Sequence, residues 1–408
     1  TALVTAQQQS STVLEENVAA NSAAVVTNAA DIEEARPMAK GTKFTYGGYI
    51  QLDAMATRYG EGKPTFYASD DLLVASTIPV EPIDGNSDSY ESFNMHAKSS
   101  RFYFTTATDT GVGKISTRVE LDFILSGDDN DERISNSWNS RLRHAFVKWD
   151  YGENSSLLAG QSWSTFFNVG ALPDQIDFVG PVGTIFNRQP QIRWTMGGLQ
   201  LAVENPATRL NGIDWDDSAE GIPDLIARYN GKWGDLGWSV AGMARELTYE
   251  DRSNTSIDGG SDEQMGYALS FAGKWMFGKN DLRFMLNYGD ALGRYMGLNS
   301  YNDGYVDASG DIETIDQLGG FIAYRHYWTP KWRSSFTISA SEADNPSDSE
   351  YAGAGSLAKA YQSFHANLNY LPNPKLAIGG EYIYANKEVE DGREGDFNRL
   401  QFAVKYAF

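Results

Sequence analysis

Leu400-Gln401-Phe402-Ala403-Val404-Lys405-Tyr406-Ala407-Phe408 reads with a period of two: Leu400, Phe402, Val404, Tyr406 and Phe408 fall on one side, and Gln401, Ala403, Lys405 and Ala407 on the other. That spacing makes a strand with one wholly apolar, aromatic face. Chain termini are usually frayed and polar, so an apolar face running to Phe408 needs a cover. The last strand of a closed transmembrane barrel has one, because it pairs with the first strand and faces lipid. The final strand of a soluble sandwich is the competing reading, and the rest of the chain decides between them.

Moving outward from that strand, the same alternation begins at Lys43, where Phe44, Tyr46, Gly48, Ile50 and Leu52 alternate with Lys43, Thr45, Tyr49, Gln51 and Asp53. Sixteen such runs follow one another, at 43–57, 96–109, 114–126, 139–150, 156–164, 188–196, 199–206, 222–231, 237–249, 263–277, 281–289, 315–328, 332–341, 358–371, 375–386 and 396–408. Their connections are sorted. Short turns such as Thr110-Gly111-Val112-Gly113, Gly197-Gly198, Gly278-Lys279-Asn280, Thr329-Pro330-Lys331 and Pro372-Asn373-Pro374 follow even-numbered runs. Long loops at 58–95, 127–138, 165–187, 207–221, 250–262, 290–314, 342–357 and 387–395 follow odd-numbered ones. A soluble sandwich has no reason to sort its loops this way, whereas bacterial outer-membrane barrels do. The expectation is therefore an all-β fold: a 16-stranded antiparallel transmembrane β-barrel over 41–408, preceded by a short helical coiled coil.

Composition agrees. The chain has 408 residues, 41% hydrophobic, and no stretch of 18 apolar residues long enough for a membrane helix. Barrel strands need only every second residue apolar, and 22 Tyr, 20 Phe and 10 Trp supply material for two interfacial girdles. The absence of cysteine excludes disulfides and cysteine metal sites. A net charge of -21 argues against nucleic acid as a partner, and no motif calls for a cofactor. Thr1 follows no basic or apolar leader, as expected of a mature exported chain. The acids gather in loops, for example Asp128, Asp129, Asp131 and Glu132; they are read as solvated, with bound Ca²⁺ as the alternative for such hard oxygen ligands.

Residues 1–40 differ from the rest, with no aromatic residue and much Ala, Asn, Gln and Ser. Val4, Ser11, Val18, Val25 and Ile32 lie seven apart, and Gln7, Leu14, Asn21, Asn28 and Ala35 form a second set three residues on. These are the a and d positions of a heptad, with polar d residues that set register, so the segment reads as a parallel oligomerising coiled coil ended by Pro37. A disordered linker is the other reading of this composition.

Sixteen strands leave room for water inside, so the apolar face points out and the other lines the lumen. That second face carries Arg101, Arg118, Arg193, Arg228, Arg283, Arg333 and Arg399. A charge facing lipid at mid-membrane costs about 2–4 kcal/mol, so all seven should point inward. On the fourth strand Arg141 and Arg143 share a phase with Ala145, Val147 and Trp149, a conflict that a β-bulge would resolve. Inward arginines suit two-point capture of carboxylates; bracing against lumen acids such as Asp53, Glu120, Asp122 and Glu204 is the structural alternative.

The segment after the fifth strand reads Gly160-Gln161-Ser162-Trp163-Ser164-Thr165-Phe166-Phe167 and runs on, rich in Val, Ile and Leu, to Arg188. Exposed outside, it would be sticky. Folded into the barrel at about 165–187, it would narrow the lumen and set Asp174 and Asp177 against the arginine wall. Packing at a subunit interface is the alternative.

With the polar heptad start, the sixteen-strand pattern, the Gly160-Gln161-Ser162-Trp163-Ser164 approach and Pro223-Asp224-Leu225-Ile226-Ala227-Arg228, the chain resembles the DcaP-like trimeric porins of Gram-negative bacteria. The resemblance covers essentially the whole chain. It implies a homotrimer in outer-membrane lipid and lipopolysaccharide, a periplasmic coiled coil, and a pore for small anionic solutes such as dicarboxylates.

Two other readings compete, and a third is compatible with the pore. A sugar-selective porin would use Tyr49, Tyr103, Trp163 and Phe166 as a stacking path. An outer-membrane enzyme would need an activated nucleophile, yet His96, His144, His326 and His365 are scattered without metal-type spacing, leaving only a Ser–His pair on neighbouring strands. An envelope anchor would use the N-terminal segment to reach peptidoglycan.

Overall fold

The computed structural model describes residues 41–85, 87–125, 135–213, 221–250 and 260–408. The expected coiled coil at 1–40 and the acids Asp128, Asp129, Asp131 and Glu132 lie outside them.

The alternating runs become strands, and side chains sort by pleat. On the last strand Leu400, Phe402 and Tyr406 are exposed while Arg399, Gln401 and Ala403 are buried, so the usual inside-out order of a soluble core is reversed. Seventeen strand segments form one antiparallel sheet. Two of them lie end to end along the same neighbour, which leaves sixteen staves. In chain order they are β1 (Thr42–Tyr59), β2 (Tyr90–His96 and Arg101–Thr110), β3 (Gly113–Asp122), β4 (Arg141–Gly152), β5 (Ser155–Trp163), β6 (Arg188–Met196), β7 (Leu199–Glu204) and β8 (Asp224–Trp233). There follow β9 (Leu236–Glu250), β10 (Ser261–Phe277), β11 (Asn280–Gly289), β12 (Asp316–Tyr327), β13 (Trp332–Asp344), β14 (Ala358–Asn373), β15 (Leu376–Val389) and β16 (Glu394–Ala407). β16 pairs with β1 from Tyr49↔Ala407 to Tyr59↔Phe397, and this seam closes the barrel. Closure removes the unpaired edges that lipid could not satisfy.

Short turns gather at one rim and long loops at the other, as the sequence predicts. Trp149, Tyr151, Trp233, Trp275, Phe277, Trp328, Trp332 and Tyr406 stand exposed close to the short turns and form one aromatic girdle.

The phase conflict on β4 is resolved by a bulge. Asp122 faces Arg141 and Leu121 faces Leu142, but Glu120 faces His144, so Arg143 is the extra residue. Before it, odd positions point inward; after it, even ones do. Leu142 and Val147 are accordingly both exposed to the outside.

Among the described residues three long loops fold inward, where only one was expected. Loop L1 (60–89) carries two single-turn helices, Tyr67–Asp70 and Ala75–Thr77, and buries Leu72, Leu73 and Ile78. Loop L3 (164–187) buries Phe166, Phe167, Val182 and Ile185. Loop L6 (290–315) buries Leu292, Tyr295 and Met296. It also joins a three-stranded sheet of Leu210–Asn211, Gly304–Val306 and Ile312–Thr314 above the barrel. The packed interior of this molecule is therefore made by its loops inside the long-loop half of the barrel.

Candidate functional site

L3 owes its course to its hydrogen-bonding groups and to small residues on the wall. Its neck is closed by the Ser164 amide donating to the Asn187 carbonyl at 3.0 Å, and the Thr165 amide donates to Glu204 Oε1 at 2.6 Å. Asn168 Nδ2 then reaches Ser239 Oγ on β9 at 2.8 Å, and Arg283 on β11 donates to the Leu172 carbonyl. Farther along, the Ile176 amide donates to Glu381 Oε2 on β15 at 2.7 Å. On the return, Asn287 Nδ2 donates to the Gly183 carbonyl at 2.9 Å. Here Gly183 has φ +70°, and a Cβ on it would lie 2.5 Å from the Gly320 amide nitrogen. Glycine in the loop facing Gly319-Gly320 in the wall lets the two backbones lie flush.

The loop also crosses the lumen. The Phe178 ring lies 5.5–5.7 Å from the guanidinium carbons of Arg101, Arg141 and Arg143 on the opposite wall.

Asp174 meets arginine directly: Arg333 Nε stands 2.6 Å and Arg325 Nη1 3.6 Å from its Oδ2. Asp177, expected at the same wall, turns to the loops instead. Its Oδ1 accepts the Leu73 amide at 3.0 Å and its Oδ2 the amides of Val179 and Gly180. Burial pushes the Asp177 carboxyl up, against the opposing pull of His365 and Arg399. Phe166 and Phe167, also assigned to the constriction, are each 1% exposed; they pack on Tyr295 and Trp163 rather than on the lumen. The Arg188 guanidinium covers the Trp163 ring at 4.3 Å.

The arginines on the strands fall into two groups. Arg101, Arg118, Arg141 and Arg143 surround Glu120 and Asp122, with Arg143 contacting both at 2.8 and 2.6 Å. Arg283 and Arg325 share Asp281. These pairs brace the wall, and a partner left alone in such a buried pair costs about 3–5 kcal/mol. Arg143 and Arg399, read as lining the pore, are each 1% exposed. Arg143 is hidden by its two carboxylates, and Arg399 by L1, since it donates to Thr57 Oγ1 and the Ser69 carbonyl.

The second group has no carboxylate partner among the described residues. Arg193 makes no ion pair, Arg188 rests on Trp163, and Arg228 donates to Asn230 Oδ1 and the Phe167 carbonyl at 2.8 and 2.7 Å.

Sequence reasoning missed several members. Lys405 sits over Tyr49, its ammonium 3.8 Å from the ring centre, although its position on the inward face of the quoted strand was a signal. Arg245 is fully buried and ties β9 to L6 through Asp303 at 2.8 Å. Ser363, His365 and Glu381 form a line, with Ser363 Oγ 3.3 Å from His365 Nε2 and His365 Nδ1 3.2 Å from Glu381 Oε1. That is the Ser–His pair that an enzyme would need, yet all three are buried and their free capacity goes to L3.

Below L3, toward the short-turn rim, a cavity of about 190 Å³ is lined by Tyr49, Gln51, Arg101, Asp174, Gln175, Arg333, Asn369 and Lys405 among others.

This architecture can be set beside known proteins. The outer membrane channel DcaP of Acinetobacter baumannii superposes with a TM-score of 0.73 at 21% identity, over 91% of this chain and 98% of that one. OmpT of Vibrio cholerae gives 0.52 at 11% identity, over 91% and 99%. OmpF of Salmonella typhi, in complex with daunomycin, gives 0.52 at 10% identity, over 90% and 98%. No curated protein matches the sequence. The sixteen-stave barrel is thus a porin-type fold. Residues 4–408 match the profile of the DcaP outer membrane protein family, and the chain belongs to that family.

Proposed function

We propose that this outer-membrane barrel is a passive diffusion channel for small hydrophilic solutes that favours anions, dicarboxylates among them. The observation that carries the reading is the group of inward cations, Arg188, Arg193, Arg228 and Lys405, that the described residues leave without a carboxylate partner. Weak, repeated attraction along a lined pore is what conduction needs, since a solute must leave each site as readily as it enters. The negative total charge of the chain does not oppose this, because many acids lie in loops or are consumed by wall arginines.

The sugar-selective alternative draws less support. Tyr103 is covered by Arg118 and Tyr49 by Lys405, Trp163 is covered by Arg188, and Phe166 is buried. Stacking needs an open aromatic face.

Residue 41 emerges at the short-turn rim, the periplasmic side in barrels of this kind. This supports a periplasmic N-terminal segment, which we read as a trimerising coiled coil able to approach peptidoglycan. The test of the pore reading is the reversal potential of the reconstituted full chain in a planar bilayer under a salt gradient. Anion preference supports it; cation preference or a closed pore rejects it.

A further inference from the structure

We infer that the cavity under L3 is a carboxylate-binding site which the chain occupies with its own Asp174, and that an anionic solute passes by displacing that side chain. The inference rests on the anion-favouring reading above.

The contact has the form a bound carboxylate would take. Two nitrogens of one guanidinium face Asp174: Arg333 Nη2 donates to Oδ1 at 3.2 Å, and Nε stands 2.6 Å from Oδ2 as an ion pair without hydrogen-bond alignment, with Arg325 behind at 3.6 Å. Arginine presents such a fork to carboxylates in general, so a solute carboxylate competes for the same nitrogens.

The cavity beside this pair has unspent polar capacity. Lys405 has no carboxylate within ion-pair distance among the described residues. Gln175 turns toward the cavity with both amide atoms buried and neither hydrogen-bonded. Arg101 lines the same space as a further cation, although it also stands within ion-pair distance of Glu120 and Asp122. Cations therefore stand on two sides of a small polar chamber. The solute class that fits is a short molecule with two carboxylates, one on Arg333 and the other toward Lys405 and Arg101.

The loop does not depend on the Asp174 side chain to stay in place. Its backbone carbonyl accepts Asn367 Nδ2 at 2.7 Å, and the next anchor is the Ile176 amide on Glu381. The carboxylate can swing off Arg333 while these hold. A tethered competitor acts at high effective concentration, so it keeps solute binding weak and exit fast, as a channel requires.

The experiment uses the full chain in planar bilayers, with succinate titrated against chloride current. Asp174→Asn removes the competing charge and keeps the shape, and should lower the succinate concentration for half-block about tenfold, the size of one charge-assisted contact. Asp174→Glu should behave as the parent protein. Lys405→Met should raise the half-block concentration. An unchanged half-block in open channels of Asp174→Asn overturns the inference. If that variant does not fold, as judged by heat-modifiable gel mobility, an unchanged half-block in Lys405→Met overturns it. The reversal potential of the parent protein separates the two failures: cation preference rejects the anion reading itself, whereas anion preference with unmoved succinate block rejects only the displaced Asp174.

Discussion

Glu381 on β15 accepts the backbone amide of Ile176 at 2.7 Å and, with Asn367 on the Asp174 carbonyl, anchors the far reach of L3. It also accepts Asn367 Nδ2 at 2.9 Å and the Asp177 amide at 3.3 Å. A charged acceptor with several donors is worth about 1.5–3 kcal/mol per bond.

Glu381→Ala should therefore free L3 without opening the barrel. Single-channel recordings should show larger or flickering conductance, while heat-modifiable mobility on gels is retained. Steady currents equal to those of the parent protein would show that L3 is held elsewhere.

Arg143 stands between Glu120 and Asp122, contacting them at 2.8 and 2.6 Å. Arg143→Met removes the buried guanidinium between the two carboxylates while Arg118 and Arg141 stay on Glu120 and Asp122, and should cost about 1.5–3 kcal/mol, the worth of a charged contact, read as a lower urea midpoint for unfolding in detergent micelles.

Arg193 and Arg228 have no carboxylate partner among the described residues, so their reversal tests charge with little disruption of pairs. Near water, a unit charge at about 4 Å is worth about 1 kcal/mol, or about fivefold in local ion concentration. Arg193→Glu with Arg228→Glu should shift the reversal potential toward cations by an anion-to-cation ratio of about that size or more. An unmoved potential would place the ion path elsewhere.

Gly183 faces Gly320 with no room for a methyl group, and its φ of +70° is strained for any other residue. Gly183→Val should cost about 1–3 kcal/mol in backbone strain alone and lift the return limb of L3 from the wall. Faster proteolysis within 164–187 is the expected reading.

Asp177 gives a pH dependence. Burial raises its carboxyl above the ordinary 3.8, so the folded protein holds this proton more tightly than the unfolded chain. Its stabilising contribution is complete below pH 3.8 and is lost as the pH climbs through the raised folded value. The Leu73, Val179 and Gly180 amides favour the charged carboxylate, so the loss over that rise comes from charge buried within L3 as a whole; it should be seen as growing current noise, and Asp177→Asn should flatten the trend.

How much of this was legible in the sequence differs by length scale. Strands from β1 to β16 follow from period two, and the Arg143 bulge follows from two phases that cannot share one strand. The inward fold of L3 follows from apolar residues with nowhere else to go. Arg118 with Glu120, and Asp281 with Arg283, are two apart and so share a face; spacing alone could have marked them as braced. What could not be read is contact across the lumen. Arg245 and Asp303 belong to different elements, and nothing local in L1 or L6 announces that Leu73 will meet Asp177 or that Tyr295 will pack on Phe166. Those pairings depend on barrel curvature and on where the loops fall back, which periodicity does not encode.

The β1–β16 seam also bears on how the molecule comes into being. It joins Tyr49 to Ala407, residues near opposite ends of the described chain, so the last contacts to form are the most distant in sequence. Topologies dominated by remote pairing form slowly. Until the seam shuts, two strand edges with aromatic faces remain open to any passing strand, the condition that invites aggregation. Such a chain has to be escorted in an unfolded state and released where lipid and its own first strand are both at hand.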